Sequence, residues 1–175
     1  VTDAMLANSL LTSGVENCQV LATAPFEVSG TGALTGVMMA YEKSSGEELD
    51  DSKQELATEE LILTGEMIDT AETYTNSNIE VPESELVVNM VNDLKGEALN
   101  GNLSEEEIRA LIDKYLEEYK IQITNELKQK LIEYLKAFTI EKYSNTVKES
   151  LNTLTENIKN GFDINLNVTV AFDDA

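Results

Sequence analysis

The spacing of apolar residues between positions 108 and 119 constrains the fold of this chain more than any other feature. Ile108, Leu111, Ile112, Tyr115, Leu116 and Tyr119 recur at intervals of 3, 1, 3, 1 and 3. That rhythm places all six on one face of an α-helix. Ser104 stands before the run and Glu107 three residues after it, the pattern of a capping box, in which side chains satisfy first-turn backbone groups. A stripe of this kind must be buried against another helix or a sheet.

The same rhythm recurs along most of the chain. Thr2 opens and Gly14 closes a short first helix, and a second runs from about Ala33 to Lys43. From Glu48 to about Tyr74 the pattern is helical, with Leu56, Leu63, Met67, Ala71 and Tyr74 on one side. Asn76–Asn78 reads as a turn, and Pro82 suits the first position of a helix that reaches Leu99. Val87, Met90, Val91, Leu94 and Ala98 form its stripe. Thr124 caps a helix carrying Leu127, Leu131, Tyr134, Leu135 and Phe138. The last helix runs from about Ile140 to Lys159, with Gly161 just past its end. Met38, Met39, Met67 and Met90 are read as core filling.

Two segments leave the helical period. Cys18 to Ala24 is a short, mostly apolar stretch ended by Pro25, a strand signal. In the tail, Phe162, Ile164, Leu166, Val168, Val170 and Phe172 alternate with Asp163, Asn165, Asn167, Thr169 and Ala171, the signature of a half-buried strand. This tail is expected to pair with the 18–24 strand or with a second copy of the chain, because an uncovered apolar edge would aggregate. The fold class is therefore α+β, predominantly α, with about six amphipathic helices and a small antiparallel sheet. Residues 1–175 are expected to form one domain: a helix–strand–helix unit at 1–43, a helical region at 47–160 and the strand at 162–172.

Composition removes whole classes of chemistry. The 175 residues include no His and one Cys, and 12 Lys and Arg against 33 Asp and Glu leave a net charge of −21. No Ser–His–Asp triad and no His-ligated zinc can be built from this chain, and no internal disulfide. The charge repels nucleic acid and anionic lipid. The longest uninterrupted apolar run is Val37 to Tyr41, so membrane insertion is not expected. Eleven carboxylates lie between Glu42 and Glu72. They read as a solvated helix face and a charged loop, or as a cation-binding surface. Their spacing fits no EF-hand, so no metal site is assigned, and no cofactor.

The segment densest in special residues is Pro25 to Gly36. Gly30, Gly32 and Gly36 come near the dinucleotide fingerprint, but five residues separate them from the strand end, and Glu27 and Glu42 make the local field negative. The expectation is a tight loop in which Ser29 or Thr31 caps the following helix. Ser29 as a nucleophile would need Lys43 or a carboxylate as its base. Cys18, with no basic neighbour in sequence, reads as a buried small hydrophobe. No catalytic residue is assigned. Glu27, Ser29, Thr31 and Glu42 are the candidate ligand-binding residues.

The opening VTDAMLANSLLTSGV, the strand leading into APFEVSGTGALTG, and the closing AYE resemble a bacterial family known only as domain of unknown function 1002. The likeness is close over about the first 42 residues. It is looser from Ile108 to Leu135, where YKIQIT joins two helices. The family is found mainly in Firmicutes and its members usually carry an export signal, so the resemblance implies a secreted or cell-envelope protein. It also implies an upstream region, and this chain is expected to be a trimmed piece of a longer precursor. No functional residues are assigned to the family, so none carries over. The favoured reading is a non-enzymatic interaction or structural module with an unknown protein or cell-envelope partner. The alternative is a small-ligand or cation-binding protein using the loop 25–36 and the acidic face 42–72.

Overall fold

The computed structural model describes residues 1–16, 18–70, 72–73, 83–159 and 169–172. Among them seven helices and four short strands follow one another: α1 (Asp3–Ser13), β1 (Leu21–Ala24), α2 (Gly30–Ser45), α3 (Asp51–Thr70), β2 (Glu72–Thr73), α4 (Glu83–Leu99), α5 (Glu105–Tyr119), β3 (Ile121–Gln122), α6 (Asn125–Ile140), α7 (Asn145–Lys159) and β4 (Thr169–Phe172). The molecule is predominantly helical, as the apolar stripes require.

Local chemistry sets the helix ends. Thr2 Oγ1 accepts from the Met5 N–H at 3.2 Å, and Gly14 ends α1 at φ +91°, a left-handed conformation that favours glycine. Ser104 and Glu107 form the full capping box: the Glu107 N–H donates to Ser104 Oγ at 3.2 Å and the Ser104 N–H to Glu107 Oε2 at 2.7 Å. Thr124 Oγ1 caps α6 through the Leu127 N–H at 3.2 Å. Asp50 stands before α3, its carboxylate accepting from the Ser52 N–H at 2.9 Å.

The core has two apolar clusters with a common wall. The first gathers α1, the inner residues of α2, Ala57 and Leu61 of α3, Val88 of α4 and Val147, Leu151 and Leu154 of α7. The second gathers Leu56, Leu63 and Met67 of α3, Val87 to Ala98 on the other side of α4, and the stripes of α5 and α6. Helices α3 and α4 thus serve both clusters. Helix α1 is the most enclosed element, with every residue from Ala4 to Ser13 buried. Its small and apolar residues on all sides let other helices approach from every direction.

Several expectations are corrected. The described residues form seven helices, against the expected number of about six. The strand expected over 18–24 is confined to Leu21–Ala24. It pairs with β4 in parallel, Leu21 opposite Thr169 and Ala24 opposite Phe172, not antiparallel. Alternation fixes the faces of a strand but not its direction, and the six helices between β1 and β4 form a crossover long enough to return the chain in parallel. Ile121 and Gln122, within the YKIQIT link between two helices, pair antiparallel with Glu72 and Thr73. The last helix starts at Asn145 rather than Ile140, because Ser144 caps it through the Val147 N–H at 3.2 Å; Ile140 ends α6 and is exposed. Met38, Met67 and Met90 are buried as expected, but Met39 is exposed. The turn at 76–78, Pro82, Gly161 and the tail strand from 162 to 168 lie outside the described residues.

Because α1 is packed on all sides, its deletions should be the most damaging. Leu6, fully buried, should cost about 3–5 kcal/mol of unfolding free energy as Leu6→Ala, read as a lowered urea midpoint with unchanged slope.

Candidate functional site

The densest chemistry in the molecule lies inside it. Glu60 points from α3 into the seam between the two apolar clusters, and Lys95 meets it from α4, Nζ to Oε1 at 3.1 Å. Their side chains are 1% and 0% exposed. Lys95 Nζ also donates to the carbonyl of Asn8 at 3.3 Å and to the Asn8 side-chain oxygen. The other Glu60 oxygen, Oε2, accepts from the Thr12 hydroxyl and from the Tyr134 phenol. Tyr143 closes the arrangement by donating to the Thr12 carbonyl at 2.7 Å, and the ammonium lies 5.7 Å from the centre of the Phe138 ring. One ion pair therefore ties α1, α3, α4 and α6 together, and Tyr143 adds the segment before α7.

Burial and charge act against each other here. Removal from water pushes Lys95 below its usual pKa, while Glu60 opposes that push. Burial, and then the nearby Glu60 charge, drives the Tyr134 phenol well above the usual value, and Tyr143 rises for the same reasons. Along α4, Asn92 precedes Lys95 by one turn; both its amide atoms are buried without a protein partner, as are Ser9 Oγ on α1 and Asn89 Oδ1. The interior of α1 and α4 is thus more polar than an ordinary helical core.

The sequence-derived candidates lie elsewhere. Ser29 caps α2, accepting from the Gly32 N–H at 3.0 Å, and its hydroxyl meets that of Thr31 at 3.2 Å. Both line a shallow depression of about 450 Å³ near Val1 and Gly65. Glu27 is exposed in the loop before α2 and is not among the residues lining that depression. Glu42 lies thirteen residues beyond Ser29, about 20 Å along a helix axis, and accepts from the Leu49 N–H at 2.8 Å. Ser29 and Thr31 are brought together; Glu42 is not brought to them. Cys18 is exposed rather than buried, and partial desolvation raises its thiol pKa. Neither Glu60 nor Lys95 is among the candidates that the sequence offers. Glu60 was one of eleven acids in a run; Lys95, the lone cation on a stripe with Val91, Leu94 and Ala98, carried the signal.

Two grooves open on the surface. One, of about 510 Å³, lies between β1 and α2 and is floored by small residues including Gly32, Gly36 and Ala40. The other, of about 630 Å³, lies between α2, α3 and α6 and is bordered by Met38, Ile62, Leu63, Glu55, Glu59 and Glu66. Among the described residues no three Asp, Glu or Cys side chains converge to hold a metal ion. None of the described helices is long and apolar enough to cross a membrane.

The sequence has known counterparts. Residues 1–159 match the family described as "Protein of unknown function (DUF1002)", and the chain belongs to that family. A curated relative is "Uncharacterized protein YpuA" from Bacillus subtilis (strain 168), 49% identical over 69 residues. The match covers 39% of this chain and 24% of that protein, so the chain aligns with about a quarter of the relative's length. No solved structure matches.

Breaking the buried pair should be severe. Lys95→Met leaves Glu60 charged and enclosed, and Glu60→Gln leaves Lys95 so; each should lower stability by about 3–5 kcal/mol, whereas the double variant should recover most of the loss. Chemical denaturation of the four proteins checks this. Alkaline pH gives a second outcome. Tyr134, Tyr143 and Tyr119 are raised above 10.0 and Tyr115 is pushed up to about 12. Their contribution is fully present below pH 10, the unfolded value, and is lost as pH rises toward the folded values. Lys95 acts in the opposite sense, its lowered pKa favouring the fold as pH rises toward 10.5, but four phenols outnumber one ammonium. Phenolate absorbance from these four should therefore appear together with loss of helicity above pH 10 rather than ahead of it, as a step separate from the signal of the other two tyrosines, Tyr41 and Tyr74.

Proposed function

We propose that this protein is a non-enzymatic helical interaction module, held in one arrangement by its interior ion pair and binding partners through its surface grooves. The observation that carries the reading is the complete enclosure of the Glu60–Lys95 cluster. Catalysis requires a group that meets a substrate. Here the groups with the strongest mutual interactions are sealed between helices, and their hydrogen bonds run to other helices. That arrangement fixes helix register. The surface, by contrast, carries apolar side chains that the fold leaves uncovered: Phe26 is 70% exposed, Leu21 69%, Met39 64% and Ile62 49%. Of these, Leu21 lines the groove beside β1 and Ile62 the groove between α2, α3 and α6, where an exposed apolar side chain suits contact with another protein. Export to the cell envelope or beyond belongs to this proposal and rests on the family resemblance.

The alternative, a small-ligand or cation-binding protein using Glu27, Ser29 and Thr31 or the acidic face, is separated by thermal shift. The module reading expects an unchanged melting temperature across calcium, magnesium, mono- and disaccharides and nucleotides. A saturable rise with any of these, of the size mass action gives, overturns it in favour of the alternative.

A further inference from the structure

We propose that the groove between α2, α3 and α6 docks a cationic amphipathic helix of a partner protein. The inference rests on the interaction-module reading and names the partner chemistry of one of its surfaces.

The groove has an apolar floor and an acidic rim. Met38 and Leu63 lie at its base, each 3% exposed, and Ile62 rises between them and solvent at 49%. Around Ile62 on α3 stand Glu55, Glu59 and Glu66, at positions −7, −3 and +4, so all share its face. The one cation in the lining, Lys130, is already paired, with Glu66 at 2.9 Å and Glu126 at 4.0 Å. The groove therefore presents unmatched negative charge around an exposed isoleucine. A partner that satisfies both features carries Lys or Arg on its flanks and apolar side chains along its centre.

Geometry argues for a helix rather than an ion. Among the described residues no three carboxylates converge on a point, so the rim suits several separated cations better than one chelated metal. The α3 wall runs from Gln54 to Glu66, about 18 Å at helical rise, or roughly three turns of a facing helix. The walls belong to α2 and α3, and a third helix lying along them would extend the packing used throughout the bundle. Apolar anchors in the groove with basic flanks at its rim is the helix-in-groove mode of recognition. The net charge of −21 would speed the encounter and make it salt-dependent.

The test must separate this groove from the general attraction of an acidic protein for cations. The full chain is titrated, by fluorescence anisotropy, with a labelled Leu/Lys amphipathic peptide of about 14 residues, slightly longer than the groove. The comparisons are the same composition scrambled to abolish amphipathicity, and spermine as a competitor. The amphipathic peptide should bind at least about tenfold more tightly than the scrambled one. Ile62→Glu should weaken it by about tenfold or more although it adds an attractive charge, and the milder Ile62→Ala should weaken it in the same direction. Glu55→Gln with Glu59→Gln should weaken binding several-fold and flatten its salt dependence, while Glu117→Gln with Glu118→Gln on α5 should leave it unchanged. Circular dichroism confirms that each variant is folded. Absence of saturable binding, equal affinity for the scrambled peptide, full displacement by spermine at comparable charge, or indifference to both Ile62 variants overturns the proposal. A flat small-ligand thermal-shift panel together with failure here would leave the module reading standing and remove only this partner chemistry.

Discussion

The arrangement of the bundle depends on one ion pair. Glu60 and Lys95 sit on the two helices that wall both halves of the core, and neither can be left without the other. An enclosed carboxylate or ammonium is tolerated only when its partner and its hydrogen bonds are all in place. Asn8 and Thr12 from α1, and Tyr134 from α6, supply those bonds. A shift of α1 by a single residue would turn Asn8 and Thr12 away from the pair and strand both charges. Apolar contacts are non-directional, whereas the hydrogen bonds of the polar cluster are satisfied in this one observed packing of α1. This is specificity obtained through a requirement for satisfaction rather than through net stabilisation.

That requirement explains the composition of α1. The sequence DAMLANSLLTS mixes Leu and Met with Asn, Ser and Thr on all sides, and read alone it has no clear apolar face. In the structure every side is covered, the apolar residues by α2, α3 and α7, while among the polar ones Asn8 and Thr12 meet the ion pair and Ser13 Oγ donates to the Leu10 carbonyl at 2.7 Å. The unpartnered Asn92 and Ser9 show the price of placing so many polar groups in the interior. Helix α5 is the opposite case. Its apolar stripe, capping box and exposed ion pairs, such as Arg109 with Glu105 at 2.9 Å, put each residue type where an amphipathic helix at the edge of a bundle needs it.

The outside of the molecule has a different logic. Most carboxylates are solvated and spread, with exposed pairs such as Lys136–Glu105 at 3.0 Å that contribute little in water. What distinguishes the surface is the location of its apolar residues: Ile62 among acids on α3, and Leu21 and Phe26 around β1 and the loop that follows. In the proposed interaction module, the enclosed pair holds the helices together while these residues stay free to meet a partner.

The helices were legible in the sequence because their information is local. Apolar spacing, the Ser104–Glu107 box, the Thr2 and Thr124 caps and the Gly14 stop act within one or two turns, and the structure forms each of them. The cap of α2 was legible as Ser29 or Thr31 for the same reason, and it is Ser29. The boundary at Ile140 was misplaced because an apolar residue continued the rhythm across Ser144, which ends it by capping the next helix. Strand direction, the pairing of Ile121 with Thr73, and the meeting of Glu60 with Lys95, Asn8, Thr12 and Tyr134 were decided only when distant segments came together. Periodicity states which side of an element must be covered; it carries no information about which neighbour covers it. A charge seen in one dimension has no solvent exposure, and it is exposure, set by the packed helices, that turned one carboxylate of eleven into the keystone of the core and left its neighbours on the surface.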